Sequence, residues 1–587
     1  MPRSTRMGVA LLALTINVLV AAEYQVSLKA SGPEDGSATH PFRTISAAAR
    51  IAQSGDTITV HEGIYRERVT PPRGGESDAR RIVYQAAPSE TVSIRGSEVI
   101  RGWKLFMPGV WKAVIPNSLF GKYNPYNDLI AGDWFNDKGR PHHTGEVYLN
   151  GKSLWETNLM ERVLNPEGPA GTWFAEVDAN YTYIYANFRG SDPNRELVEI
   201  NVRDACFYPD QPGRNYITVR GFRMSHAATQ WAAPTAEQIG LIGTHWSRGW
   251  IIENNVISDS KSSGITLGKD RATGHNVWTK DPSKDGAIHY NEVIERALKA
   301  GWSRENTGSH IVRNNVIRDC EQAGIAGSLG AVFSLIENNH IYNIWVKRQF
   351  AGAEIGGIKL HGAIDVVIRG NRVHNAGRGL WLDWMAQGTR VTGNLFYDNT
   401  TDDVFVEVNH GPFVVDNNVF LSKISVQDWS EGGAFVHNLI GGRIVVRQEL
   451  KRSTPWHLAH STALGGLSNI KGGDHRFFNN LFVGGGEDLT MYRDRETPVV
   501  SRGNAAVAGV ELREDGVLVV RGAAGEIATR IVTGSLLGKT AVSGLPFDNA
   551  DGSPVRIDQD YLGQPRGESP TPGPFEKLSG TTIRLWQ

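Results

Sequence analysis

Gly357-Ile358-Lys359-Leu360-His361, Gly379-Leu380-Trp381-Leu382-Asp383 and Asp403-Val404-Phe405-Val406-Glu407 stack in one register, and Gly264-Ile265-Thr266-Leu267-Gly268 and Gly324-Ile325-Ala326-Gly327-Ser328 are earlier copies of the pattern. The second and fourth columns are almost all aliphatic. Alternate residues of a strand face opposite ways, so these columns point into a core and the third and fifth point out of it. The fifth column closes on His361, Asp383 and Glu407. As successive rungs of a coil, the segments put Asp383 and Glu407 side by side on an exposed face.

Outward from these rungs, an Asn-x-aliphatic motif recurs with its Asn at 255, 291, 315, 339, 371, 394, 418, 438 and 480, several steps being 23 or 24 residues. A fixed period is the mark of a solenoid, and short strands joined by Gly- and Asn-rich bends make it a parallel β-helix. The recurrent Asn residues are read as structural, bonding backbone at the bends and one another along the axis. The expected organisation is a secretory segment over 1–22, an N-terminal cap and first coils over 23–100, and an inserted antiparallel β-sandwich-like domain over 101–202. The main β-helix carrying the candidate site follows over 203–486, and a β-rich tail over 487–587. Within the cap, Thr44 to Ala52 reads as a short amphipathic helix that closes the open end of the stack. The turn around Trp345 to Gly356 is about eight residues longer than its neighbours, and such insertions form the binding faces of solenoids.

Of 587 residues 40% are hydrophobic, and 61 basic side chains balance 62 acidic ones for a formal net charge of -1. That balance gives no electrostatic footprint for nucleic acid or an anionic membrane; a neutral ligand such as an oligosaccharide fits better. Arg3 and Arg6 before an apolar run from Met7 to Val20, then Ala21-Ala22, have the layout of a secretory signal. The expected location is therefore secreted or periplasmic, with no membrane span once the signal is removed. Cys206 and Cys320 are the two cysteines, which exclude a multi-disulfide framework and are expected as buried thiols.

Neighbouring strands run about 4.8 Å apart, and a retaining glycosidase holds its two carboxyl groups roughly 5–5.5 Å apart. The alternative for Asp383 and Glu407 is a solvated pair. Stacked like charges are unfavourable, however, and Trp381, Trp384 and Phe405 crowd them. In the catalytic reading Asp383 stays ionised as nucleophile, while its charge raises the pKa of Glu407 so that Glu407 can protonate the leaving oxygen. Esterification of Asp383 then lowers that pKa, and Glu407 deprotonates the incoming water. His361, one coil before Asp383, is a substrate-binding candidate, with Trp384, Lys359, Glu354, Asn409 and His410 as further ones. His142-His143 and Asp402-Asp403 are set aside because consecutive strand residues face opposite ways. Neither a catalytic metal nor a cofactor is expected.

The run Gly379-Leu380-Trp381-Leu382-Asp383-Trp384, followed one turn later by Val406-Glu407-Val408-Asn409-His410-Gly411, resembles glycoside hydrolase family 120, β-xylosidases built on a right-handed parallel β-helix with an intermingled β-sandwich. The resemblance covers about Tyr24 to Gly486. It implies that Asp383 is the nucleophile and Glu407 the acid/base of a hydrolase needing no cofactor.

The expected function is thus a secreted, retaining, exo-acting β-glycosidase releasing xylose, the insertions walling an open groove into a cavity. One rival is a β-helical polysaccharide lyase or epimerase using Lys359 or His361 as base; such chemistry must neutralise a uronate carboxylate, which an acid pair would repel. An inverting hydrolase using Asp402 and Asp403 would need carboxyls ~6.5–9.5 Å apart. A glycan-binding solenoid without turnover is the non-enzymatic rival.

Overall fold

The computed structural model describes residues 21–484, 489–522, 527–577 and 582–586. The expected secretory segment falls almost wholly outside them. Among the described residues, no helix is long and apolar enough to cross a membrane.

Three long parallel sheets of 13, 12 and 8 strands form the solenoid, and the coils of its central part contribute one short strand to each. One coil runs through Val367–Arg369, Arg372–His374 and Arg378–Asp383, and the next through Thr389–Thr392, Leu395–Tyr397 and Asp402–Glu407. Ile368, Val373, Leu380 and Leu382 of the first coil, and Val391, Phe396, Val404 and Val406 of the second, are buried in one continuous core.

The bend between the first and second sheets explains the Asn repeat. Asn315 Nδ2 donates to Asn339 Oδ1 at 2.9 Å, Asn339 to Asn371 at 3.0 Å and Asn371 to Asn394 at 3.0 Å. Each also bonds a carbonyl of the preceding coil, as Asn339 does Val312 O at 2.9 Å. The residue before each ladder Asn is left-handed: Asn314 at φ 54°, Asn338 at 54°, Gly370 at 63°, Gly393 at 63° and Asn417 at 54°. Gly and Asn reach that region most cheaply, so the chain reads Asn-Asn or Gly-Asn at these bends, with His437-Asn438 as an exception further along the ladder.

Two expectations need correction here. Asn291 is not a ladder residue; it lies on the helix Gly286–Lys299, and its motif match came from the i to i+2 spacing alone. The repeat also runs past Gly486: Asn480 bonds Asn504 at 3.0 Å, and strands Val500–Arg502 and Ala505–Val507 extend two of the sheets. Degenerate strand sequences hid that last coil. The cap helix forms over Ile45–Ile51 with Thr44 accepting from Ala47 N, and both cysteines are buried free thiols.

The stretch from Ser97 to Asn201 leaves the helix and forms a four-stranded antiparallel sheet and a five-stranded, mostly antiparallel one. These enclose a separate core around Trp103, Tyr126, Trp173 and Ile184. Its strand Phe135–Asn136 reaches back to pair antiparallel with Ala351–Gly352, inside the long turn near the rungs. His142 and His143 lie outside any regular strand, and strand alternation does not apply to them: both converge on Glu156, at 3.7 and 2.8 Å. Asp402 and Asp403 do sit in a strand and do part company. Asp402 pairs with Arg378, whereas Asp403 accepts from Asn399 Nδ2 and Ser422 N at 2.9 Å each.

Candidate active site

The third sheet holds the rungs in the register expected from the sequence. Ser328 pairs with His361, His361 with Asp383, and Asp383 with Glu407. Ile358, Leu360, Leu380, Leu382, Val404 and Val406 fill the core side, which leaves Lys359, His361, Trp381, Asp383, Phe405 and Glu407 on the other face. Gly379 starts its strand where a Cβ would lie 2.5 Å from Asp403 O and 2.7 Å from the Phe396 ring, so only glycine lets the coil enter so tightly.

That face is not exposed, contrary to the sequence reading. Asp383 is 5% and Glu407 4% accessible. Insertions cover it: the helix Gly286–Lys299, the hairpin Ser453–His457/Leu464–Asn469 behind Arg452, and the loop carrying Trp134. They leave a cavity of about 350 Å3 over the acids, lined also by Trp134, Trp278, Tyr290, Trp384 and Trp429.

Asp383 Oδ2 accepts from Lys359 Nζ at 2.5 Å and lies 3.1 Å from His361 Nε2. Burial disfavours its charge, but the charges of His361 and Lys359 and their hydrogen bonds outweigh burial and hold it well below the usual carboxylate range. Oδ1 is buried without a protein hydrogen-bond partner, free to meet an electrophile. Lys359 also sits 3.6 Å from the Trp381 ring centroid, a cation–π contact in a fully buried setting. Glu354 closes the cluster, 3.7 Å from Lys359 Nζ and 3.3 Å from His361 Nε2. Glu354, His361 and Asp383 are close enough together to hold a metal ion, but the Lys359 ammonium already supplies a cation between two of the carboxylates.

Glu407 lies in the opposite field. Burial, reinforced by the adjacent charge of Asp383, pushes its carboxyl up to about 7, against the opposing pull of Arg452 and Lys359. Trp381 Nε1 donates to Glu407 Oε2 at 3.0 Å and Arg452 to Oε1. One carboxylate is thus held ionised beside a carboxyl that stays largely protonated below neutral pH, the pairing that separates a nucleophile from a general acid.

Of the other candidates, His361, Glu354, Lys359 and Trp384 gather here. Burial and the Lys359 charge disfavour the charged form of His361, but Asp383 outweighs them and its pKa is raised. Tyr290 packs between His361 and Trp384, with ring centroids at 4.9 and 5.5 Å. Asn409 and His410 do not join them. The strand ends at Glu407 and Val408 turns left-handed at φ 49°, so alternation stops there. Asn409 Oδ1 accepts from Ala386 N at 2.6 Å, and His410 is locked between Glu431 and Thr454 O. Sequence reasoning missed Arg452, Tyr290, Trp134 and Trp278, which come from distant insertions.

Residues 100–172 and 163–200 match a family model described as glycoside hydrolase 120, insertion domain, and residues 291–440 one described as right handed beta helix region. The structure described as XylC in complex with xylose is 42% identical, covering 96% of this chain and 100% of that one, with a TM-score of 0.91. A structure described as a glycoside hydrolase and one of pectate lyase Pel9A are 12% and 10% identical, with TM-scores of 0.46 and 0.37. The first covers 83% of this chain and 95% of its own, the second 96% and 98%. A search of curated proteins returned no match.

Proposed function

The chain belongs to glycoside hydrolase family 120, and on that premise we propose that it is a secreted or periplasmic, retaining exo-β-xylosidase that releases xylose from short β-linked xylo-oligosaccharides. The observation that carries the retaining mechanism is the in-register pairing of Asp383 with Glu407, their carboxyls held in opposite protonation states. In-register neighbours on strands about 4.8 Å apart match the ~5–5.5 Å carboxyl separation of double displacement better than the wider gap of inversion.

Asp383 Oδ1 attacks the anomeric carbon while Glu407 gives its proton to the departing oxygen. Lys359 and His361 hold Asp383 ionised until then. The glycosyl ester removes the negative charge beside Glu407, whose pKa falls, and Glu407 takes the proton of the incoming water. Xylose as the sugar is supported by the 42% identity to XylC, whose structure contains it. A cavity roofed by insertions favours release from a chain end over cleavage within a polymer.

Two experiments test this. NMR of the first-formed sugar from an aryl β-xyloside should show the β-anomer. Asp383→Gly supplied with azide should give the α-xylosyl azide; a β-azide, or an α-anomer from the native enzyme, would remove Asp383 from the nucleophile's place.

A further inference from the structure

Trp134 and Trp278 both line the cavity over the acids, half-buried and stacked on each other with ring centroids 5.5 Å apart and planes at 21°. They come from separate insertions, Trp134 from the inserted β domain and Trp278 from the short helix Val277–Lys280. One buried carboxylate joins them. Asp133 Oδ1 accepts from Thr279 N and Thr279 Oγ1 at 2.6 Å each, and Oδ2 accepts from Trp278 N at 3.1 Å and from Thr235 Oγ1. Its backbone N–H donates to Asn276 at 3.1 Å, and its carbonyl accepts from Trp231 Nε1 at 3.0 Å. Asp133 is fully buried and lines no part of the cavity.

A carboxylate taking two backbone N–H bonds at a helix start is a strong, directional anchor. The same residue precedes Trp134, so it ties both indoles to one point of the solenoid. The seat is tight. A Cβ on Gly286, at the start of the next helix, would lie 2.7 Å from the Trp134 ring, and Trp134 O accepts from Ala353 N at 3.2 Å, next to Glu354.

We propose that the Trp134–Trp278 pair is the subsite for the leaving-group sugar ring, and that Asp133 is the positioning residue that assembles it. Half-exposed indole lends itself to stacking on the apolar face of a second pyranose. The inserted domain then acts in aglycone recognition and not in the chemistry of bond cleavage. This rests on the glycosidase reading of the cavity.

β-D-Xylosyl fluoride and xylobiose separate the two, because fluoride has no ring to stack. The native enzyme should hydrolyse both. In Asp133→Asn and in Trp278→Ala, kcat/KM for xylobiose should fall roughly tenfold or more, mainly through KM, while kcat/KM for the fluoride stays within about twofold. Thr279→Val, which removes one of the four bonds to the Asp133 carboxylate and leaves the backbone intact, should give a smaller loss of the same selectivity. Equal loss on both substrates, or unchanged xylobiose kinetics in Trp278→Ala, would overturn the subsite assignment. A native enzyme inert towards the fluoride would instead overturn the glycosidase reading itself.

Discussion

Replacing Arg452 by Met should move the alkaline limb of activity to higher pH. The Glu407 carboxyl stands at about 7 against an ordinary 4.5, a net preference of about 3 kcal/mol for its protonated form, in which burial and like-charge repulsion outweigh the pull of Arg452 and Lys359. Arg452 opposes that through its ion pair to Oε1. Two unit charges 4 Å apart interact by about 4 kcal/mol at an effective dielectric of 20. The guanidinium is one-third exposed, and solvent screening reduces its share to a fraction of that. An upward shift of about one pH unit is therefore expected. For a general acid the active form is the protonated one, so kcat/KM is full below the pKa of Glu407 and is lost as pH rises through it. The native profile for an aryl β-xyloside should fall with a midpoint near pH 7, and the Arg452→Met profile near pH 8. A limb that stays put or moves down would refute the assignment of Glu407 as the acid whose pKa Arg452 restrains.

Lys359→Met should shift the acidic limb upward, because Asp383 loses the cation bonded to it and must compete for protons nearer the ordinary carboxylate range; a pH profile of kcat/KM checks it. Glu407→Gln should cut kcat for an alkyl xyloside by at least about 10²-fold but far less for a dinitrophenyl xyloside, whose leaving group needs no proton. Asn371→Ala should cost roughly 2–4 kcal/mol of stability, since it strands the Asn339 amide donors and the Ile336 carbonyl; thermal unfolding should register it while room-temperature kcat stays native. Gly379→Ala should cost more, because its Cβ would meet the backbone oxygen of Asp403, and loss of soluble protein is the readout.

The rungs could be aligned from the sequence alone because strand alternation and the 23–24-residue step are local and repeat. Ile358, Leu360, Leu380, Leu382, Val404 and Val406 mark one face, and the residues that alternate with them within each strand are assigned to the other. Stacking of identical bends does the rest, so Asp383 beside Glu407 and the Asn ladder were both legible. Asn291 and the last coil at Asn504 show the limit: a three-residue motif can occur on a helix, and a degenerate coil need not carry it.

What lay beyond the sequence is everything contributed by chain that leaves the repeat. Arg452 reaches Glu407, and Trp134 and Trp278 meet, only because the insertions fold back over the third sheet, and no period links those positions to the rungs. For the same reason the acids read as exposed: alternation says which way a side chain points but not what packs above it. Column and neighbour follow from covalent geometry repeated along the chain, whereas burial, and with it the separation of the two carboxyl pKa values, follows from contacts between residues far apart in sequence.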